Sequence, residues 1–262
     1  MITFTMDEVN ALLATFFYPF VRIIALLASA PPFNNASLPN QTRLILGLAI
    51  TAALAPTISG TPGMLPAVPP ASGVGLLILA EQMLIGYGMG FTVRLVFSAI
   101  DMGGRTFSTQ MGLGFATSYD PASASQTIVV AEVIGVLSLL LFMSIDGHLI
   151  VLSTLAQSFH ALPIGTLPGS ATWSNLAKAG AIIFSSGLLL ALPIIVVLFI
   201  INTALGILGR VSPQLNLMVV GFPITITLGF CALYICLPYL VEPLLQLFEV
   251  GLQGMLGSFV SR

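Results

Sequence analysis

AGAIIFSSGLLLALPIIVVLFIINTAL, residues 179–205, carries no charged side chain and settles the class of fold. A helix needs about 20 apolar residues to cross a hydrocarbon core about 30 Å thick, at 1.5 Å per residue. This stretch exceeds that length. Comparable apolar runs fall at 9–30, 44–58, 74–100, 127–156 and 215–241, so the chain reads as an all-α membrane protein with about six long helices. The run at 44–58 is short for a crossing. Either it takes Thr42 and Thr57 as its margins or it does not span. The final stretch, 242–262, sets Gly251, Gly254 and Gly257 three apart on roughly one face. It reads either as a helix packed closely on a neighbour or as a frayed tail.

Composition agrees with the runs. Hydrophobic residues make up 57% of the 262 positions and charged residues only 6%, against about a quarter in soluble domains. So few charges cannot cover a water-facing surface, and most of the chain must face lipid or other apolar protein. The seven basic residues are scattered, at Arg22, Arg43, Arg94, Arg105, Lys178, Arg210 and Arg262. No cluster neutralises a phosphate backbone, which argues against nucleic acid as a partner. The same scatter argues against recruitment to acidic lipid by a polybasic patch. For six spans the basic loop residues divide three against two, so orientation is not decided. The first residues carry Asp7 and Glu8 and no Lys or Arg, the wrong charge for a cleavable signal peptide. The first apolar stretch is therefore expected to be retained.

The runs are punctuated at 31–43 (PPFNNASLPNQTR), 59–73 (SGTPGMLPAVPPASG), 157–178 and 206–214, where prolines, glycines and asparagines favour turns. Pro19, Pro193, Pro223 and Pro238 lie inside apolar runs, where each removes a backbone donor and kinks its helix. Broken helices belong in protein-lined surroundings, which points to an assembly.

Three charges lie within apolar runs: Glu81, Arg94 and Glu132. Insertion of such a charge costs about 2.5–3.5 kcal/mol. Glu81 and Arg94 are about 20 Å apart along one helix and cannot pair with each other. Glu81 is either a charge at the membrane edge or one member of a pair between helices or subunits, with Arg94 or Arg22 as the available cation. Gly86 and Gly90, in G-x-x-x-G spacing, open a helix face to close approach by another backbone.

The most informative segment is 101–126, DMGGRTFSTQMGLGFATSYDPASASQ. It is too polar to span, yet it keeps Met102, Phe107, Met111, Leu113 and Phe115 among four glycines. Glycine gives the backbone freedom and methionine is an adaptable filler. The composition suits a deformable apolar seal within a pore. The alternative is a re-entrant loop with only a packing role. Asp120-Pro121 reads as an N-cap that restarts a helix.

No enzyme motif is present: no phosphate-binding loop and no HExxH. Ser185 and Ser186 would need a facing histidine for a serine protease, but His148 and His160 both precede them. Asp101, Asp120 and Asp146 border loops and do not suit an aspartyl protease. Cys231 and Cys236 sit in an apolar run and read as small hydrophobes, not as metal ligands. A small-solute carrier with a midplane site in broken helices remains a rival, since Pro193 and Pro223 are compatible with one.

QMGLGFATSYDPAS (110–123) resembles the loop signature of the FliR family of flagellar type III export-gate proteins. Other segments agree in order: R-x-x-A-L-L-x-S-A-P from Arg22 to Pro31, D-G-H-L at 146–149, L-P-I-G at 162–165, L-A-L-P at 190–193, R-V-S-P-Q-L-N at 210–216 and G-F-P at 221–223. Together they cover nearly the whole chain. One departure is Asp146, where asparagine is commoner in the family. Virulence-type homologues share the architecture, but the 110–123 stretch looks more flagellar.

The resemblance implies kinked helical hairpins, with a FliP-like unit over 1–178 followed by a FliQ-like hairpin over 179–262. It implies partners as well: FliP-like and FliQ-like subunits, an FlhB-like protein, membrane lipid and unfolded exported substrates. The location would be the bacterial inner membrane at the flagellar basal body. No cofactor or metal is implied, and the energy source would be the proton motive force and a separate ATPase. It casts Phe107, Gln110, Met111, Gly112, Leu113, Gly114 and Phe115 as the plug that closes the channel at rest. Gly86, Gly90, Glu81 and Arg94 are expected to serve helix packing and assembly.

Overall fold

The computed structural model describes residues 6–35, 38–60, 66, 68–113, 129–212 and 217–260. Among these, every regular element is an α-helix: α1 (Met6–Ser29), α2 (Asn40–Ser59), α3 (Gly73–Gln110), α4 (Val129–Ser144), α5 (Gly147–Ala161), α6 (Ser170–Ala179), α7 (Ala181–Val211) and α8 (Leu217–Val260). Five of the helical stretches are long and apolar enough to cross a membrane, or six if α4 and α5 count together as one broken span. The short run at 44–58 becomes the 20-residue α2, which begins directly after Pro39. Its fixed φ suits a helix entry.

The chain divides into two compact units. One comprises Met1–Leu95, Phe142–Ala179 and Glu249–Arg262, and the other Val96–Leu141 and Gly180–Phe248. In the first, α1 and α2 lie against each other, with Gly47 of α2 opposite Ile24 Cδ1 and Phe20 Cε2 of α1.

Hydroxyl groups within the helices turn inward on their own backbone. Thr51 donates to the carbonyl of Gly47, Thr92 to Gly88, Ser108 to Gly104, Thr203 to Phe199 and Thr227 to Pro223. A medium without water leaves such groups no other partner at lower cost.

Four sequence expectations need correction. First, α3 continues through 101–110, which had read as loop. Asp101 and Arg105 pair one turn apart at 2.8 Å, and Thr106, Ser108 and Thr109 bond to carbonyls in the preceding turn. The polarity is satisfied within the helix. Second, α7 persists to Val211 through the supposed turn at 206–214. Third, of the two readings of 242–262 the packed helix holds over 242–260 and the frayed tail does not: the stretch is the end of one 44-residue helix that also contains Pro243, and Gly254 lies against Thr92. Fourth, the 157–178 break shrinks to 162–169, between α5 and α6.

The apolar run at 127–156, in contrast, is broken. α4 and α5 meet at a 64° bend, where Asp146 adopts φ 55° and ψ 26°. Asp and Asn tolerate this left-handed region better than other non-glycine residues, which gives a physical reason why either can precede Gly147. A Cβ on Gly147 would lie 2.5 Å from the Phe142 ring. Asp146→Asn is therefore expected to leave thermal stability in detergent unchanged. Asp146→Val should lower it by about 1–2 kcal/mol, the usual strain of a side chain there.

Candidate functional site

The last turns of α3 are built on glycine. A Cβ on Gly103 would lie 2.8 Å from the carbonyl oxygen of Gly187 on α7, and one on Gly187 would lie 2.7 Å from that of Ala99. On the adjoining side, Gly104 meets Ala131 of α4 with only 3.0 Å from its Cβ position to the Ala131 Cα. Both glycines of the pair are thus close-approach positions in a helix, not hinges in a loop. Phe107 is buried one turn later and borders an apolar cavity of about 20 Å³ with Ile100, Ile134, Leu190, Leu240 and Leu244. Such a space needs polar partners to hold a water, and this lining supplies none.

α3 then stops in a defined way. The Gly112 N–H donates to Thr109 O at 3.0 Å and the Leu113 N–H to Ser108 O at 3.2 Å, with Gly112 at φ 87°. These two bonds and a left-handed glycine form a Schellman cap, so Gly112 is fixed by the helix end it closes. Met111 is fully buried beneath it. Its side chain lies against Gly229 of α8, and its carbonyl accepts from Thr225 Oγ1 at 3.4 Å.

Of the expected plug residues, Phe107 and Gln110 therefore belong to α3, Phe107 in its core and Gln110 exposed at its last position. Met111, Gly112 and Leu113 form the cap. Gly114 and Phe115 lie outside the described residues, as does Asp120-Pro121.

The other unit contains a polar node around Arg22. This side chain is fully buried. Nε donates to Gln82 Oε1 at 2.7 Å, one terminal nitrogen to Ser158 O and Oγ at 3.0 and 3.2 Å, and the other to Leu162 O at 3.0 Å. The guanidinium also lies 4.4 Å from the centroid of the Phe159 ring. A cation at the carbonyl end of α5 meets the negative end of its dipole, and Arg offers enough donors to serve three chain segments at once.

Gly86 and Gly90 of α3 face the same helix α1. A Cβ on Gly86 would strike the Arg22 carbonyl, and one on Gly90 would strike Ser29 Oγ and approach Leu26 O at 2.8 Å. Gly86→Leu or Gly90→Leu is expected to abolish recovery of folded protein on native gels. Glu81 and Arg94 do not meet. Arg94 is exposed, Glu81 is half-buried with one unpartnered oxygen, and no ion pair joins Glu81 to Arg94 or Arg22 among the described residues. The protease alternative gains nothing at Ser185, whose hydroxyl donates to Ala181 O in its own helix.

Sequence reading located Arg22 by motif but missed its partners, which lie 60 to 140 residues away. Gly229 and Thr225 it missed entirely. A glycine and a threonine four apart in an apolar run carry no local signal.

A family model described as "Bacterial export proteins, family 1" matches residues 13–250. Similar proteins include the flagellar biosynthetic protein FliR of Pectobacterium carotovorum subsp. carotovorum, 44% identical over 93% of this chain and 91% of that protein. The flagellar biosynthetic protein FliR of Escherichia coli strain K12 is 38% identical over 100% of this chain and 98% of its own length. The protein of the same name from Bacillus subtilis strain 168 is 24% identical over 95% of this chain and 96% of its own.

Proposed function

The chain belongs to the bacterial export proteins, family 1, and from that membership we propose how it works as a membrane-embedded subunit of the flagellar type III export gate. It is a structural part of the export apparatus. In our reading it sits in the bacterial inner membrane at the flagellar basal body, beside FliP-like and FliQ-like subunits and an FlhB-like protein. Residues 1–178 form a FliP-like part and 179–262 a FliQ-like hairpin. One boundary between the compact units, at Ala179/Gly180, lies beside that division. Glu81 and Arg94 face partner subunits, where each finds the opposite charge it lacks among the described residues.

The function at the site is passive closure. The capped end of α3 and the segment that follows it obstruct the channel at rest, and unfolded flagellar proteins pass when that obstruction yields. The observation that carries this reading is the Gly112 cap on an apolar, glycine-packed helix end. It fixes the place of Leu113 at the end of α3. A dry apolar constriction excludes ions because they would have to shed water to enter. No bond is made or broken by the chain.

Affinity purification from native membranes tests the reading. The tagged chain is expected to bring FliP-like and FliQ-like subunits with it and to export nothing alone in liposomes. A solitary chain that moves solute by itself would contradict it.

A further inference from the structure

Met111 occupies the cap position of α3, so its carbonyl has no partner within that helix. Thr225 of α8 supplies one, at 3.4 Å, which is long for a hydrogen bond to a hydroxyl. One turn further along α8, Gly229 offers a bare backbone to the Met111 side chain. A Cβ there would lie 2.6 Å from Met111 Cγ, 2.8 Å from Cε and 3.2 Å from Sδ. Residues four apart on a helix share a face, so Thr225 and Gly229 together make one seat, a hydroxyl for the main chain and a hollow for the side chain.

We infer that Thr225 and Gly229 are positioning residues of the export gate. They seat the end of α3 on α8 in the closed state, and Met111 leaves that seat when substrate passes. The inference rests on the proposal that the α3 end closes the channel. Its physical basis is the character of the contact. Arg22 is tied by four hydrogen bonds, whereas Met111 is held to α8, among the described residues, by one long bond and by a fit between a flexible thioether chain and a glycine. Met adapts to irregular gaps and can refill such a hollow on return.

A reversible lock tests this in the assembled gate. Met111→Cys and Gly229→Cys are introduced together, with Cys231→Ala and Cys236→Ala removing the native thiols. The Gly229 Cβ position is 2.6 Å from Met111 Cγ, an atom one bond from Met111 Cβ, which brings the two Cβ positions into the range that a disulfide spans. Relative to its own reduced state, the oxidised protein is expected to form the bond, stop exporting and keep a low resting ion conductance, and dithiothreitol to restore export. Thr225→Val is expected to raise resting conductance without loss of co-purified subunits. Failure of the disulfide to form would show that the seat does not exist. A complete disulfide with undiminished export would show that Met111 need not leave it. In the same cells, removal of residues 113–117 reports separately on whether this segment closes the channel at all. No leak from that deletion would sink the closure reading, whereas a leak beside freely exporting locked gates would sink only the seat.

Discussion

Removing residues 113–117, Leu-Gly-Phe-Ala-Thr, is expected to make the assembled gate leak small ions in the absence of any exported protein. The deletion leaves Met111 in its seat and Gly112 at its left-handed φ of 87°. Any residue that moves into position 113 still offers an N–H to Ser108 O, so the cap survives. What is lost is apolar sequence, Leu113 and Phe115 among it. Each ~1.4 kcal/mol taken from the barrier to ion entry raises flux tenfold, so a dry constriction made wet should leak at least about tenfold more. Single-channel recording or sodium sensitivity of growth measures it. A conductance equal to that of the intact chain would show that the segment seals nothing.

The second large effect belongs to Arg22. Arg22→Met keeps a long side chain but strips donors from Gln82 Oε1, Ser158 O and Leu162 O. Ser158 O keeps the Leu162 N–H as a donor, but Gln82 Oε1 and Leu162 O lose theirs at about 1–3 kcal/mol each, a large share of the about 5–15 kcal/mol that holds a domain together. The variant is expected not to accumulate as folded protein, read by protease resistance in native membranes. Arg22→Lys should recover only part of the loss. An ammonium has three donors but not the planar fork that reaches α3 and the end of α5 together. Wild-type levels of Arg22→Met would mean that the node is incidental to folding.

These two sites differ in how readable they were. Hydropathy alone exposes the long helices, because a span without charge is a property of consecutive residues, and 179–205 announces itself. The end of α3 does not. Gly103 and Gly104 look like loop freedom in sequence, while in the fold they admit the backbones of Gly187 and Ala131. The distinction depends on residues more than 25 positions away in sequence, which no local pattern encodes. α8 misled for the opposite reason. The apolar run reads as ending at 241, yet one helix continues to Val260 through Pro223, Pro238 and Pro243, since neighbouring hydroxyls and packed helices can satisfy the carbonyls that prolines free. The bend at Asp146 was invisible because a single left-handed residue leaves hydropathy unchanged. The resemblance singles out 107–115 as one stretch, whereas the fold divides its described part into a buried helix residue at Phe107 and a helix cap at Gly112.

The most direct measurement places a photoreactive side chain at Leu113, just beyond the cap, and stalls an export substrate in the assembled gate. Illumination is expected to join that substrate to position 113, while the same probe at Tyr239, exposed on α8, captures lipid or a partner subunit instead. A stalled substrate that never cross-links at 113 would mean that the end of α3 does not face the passage.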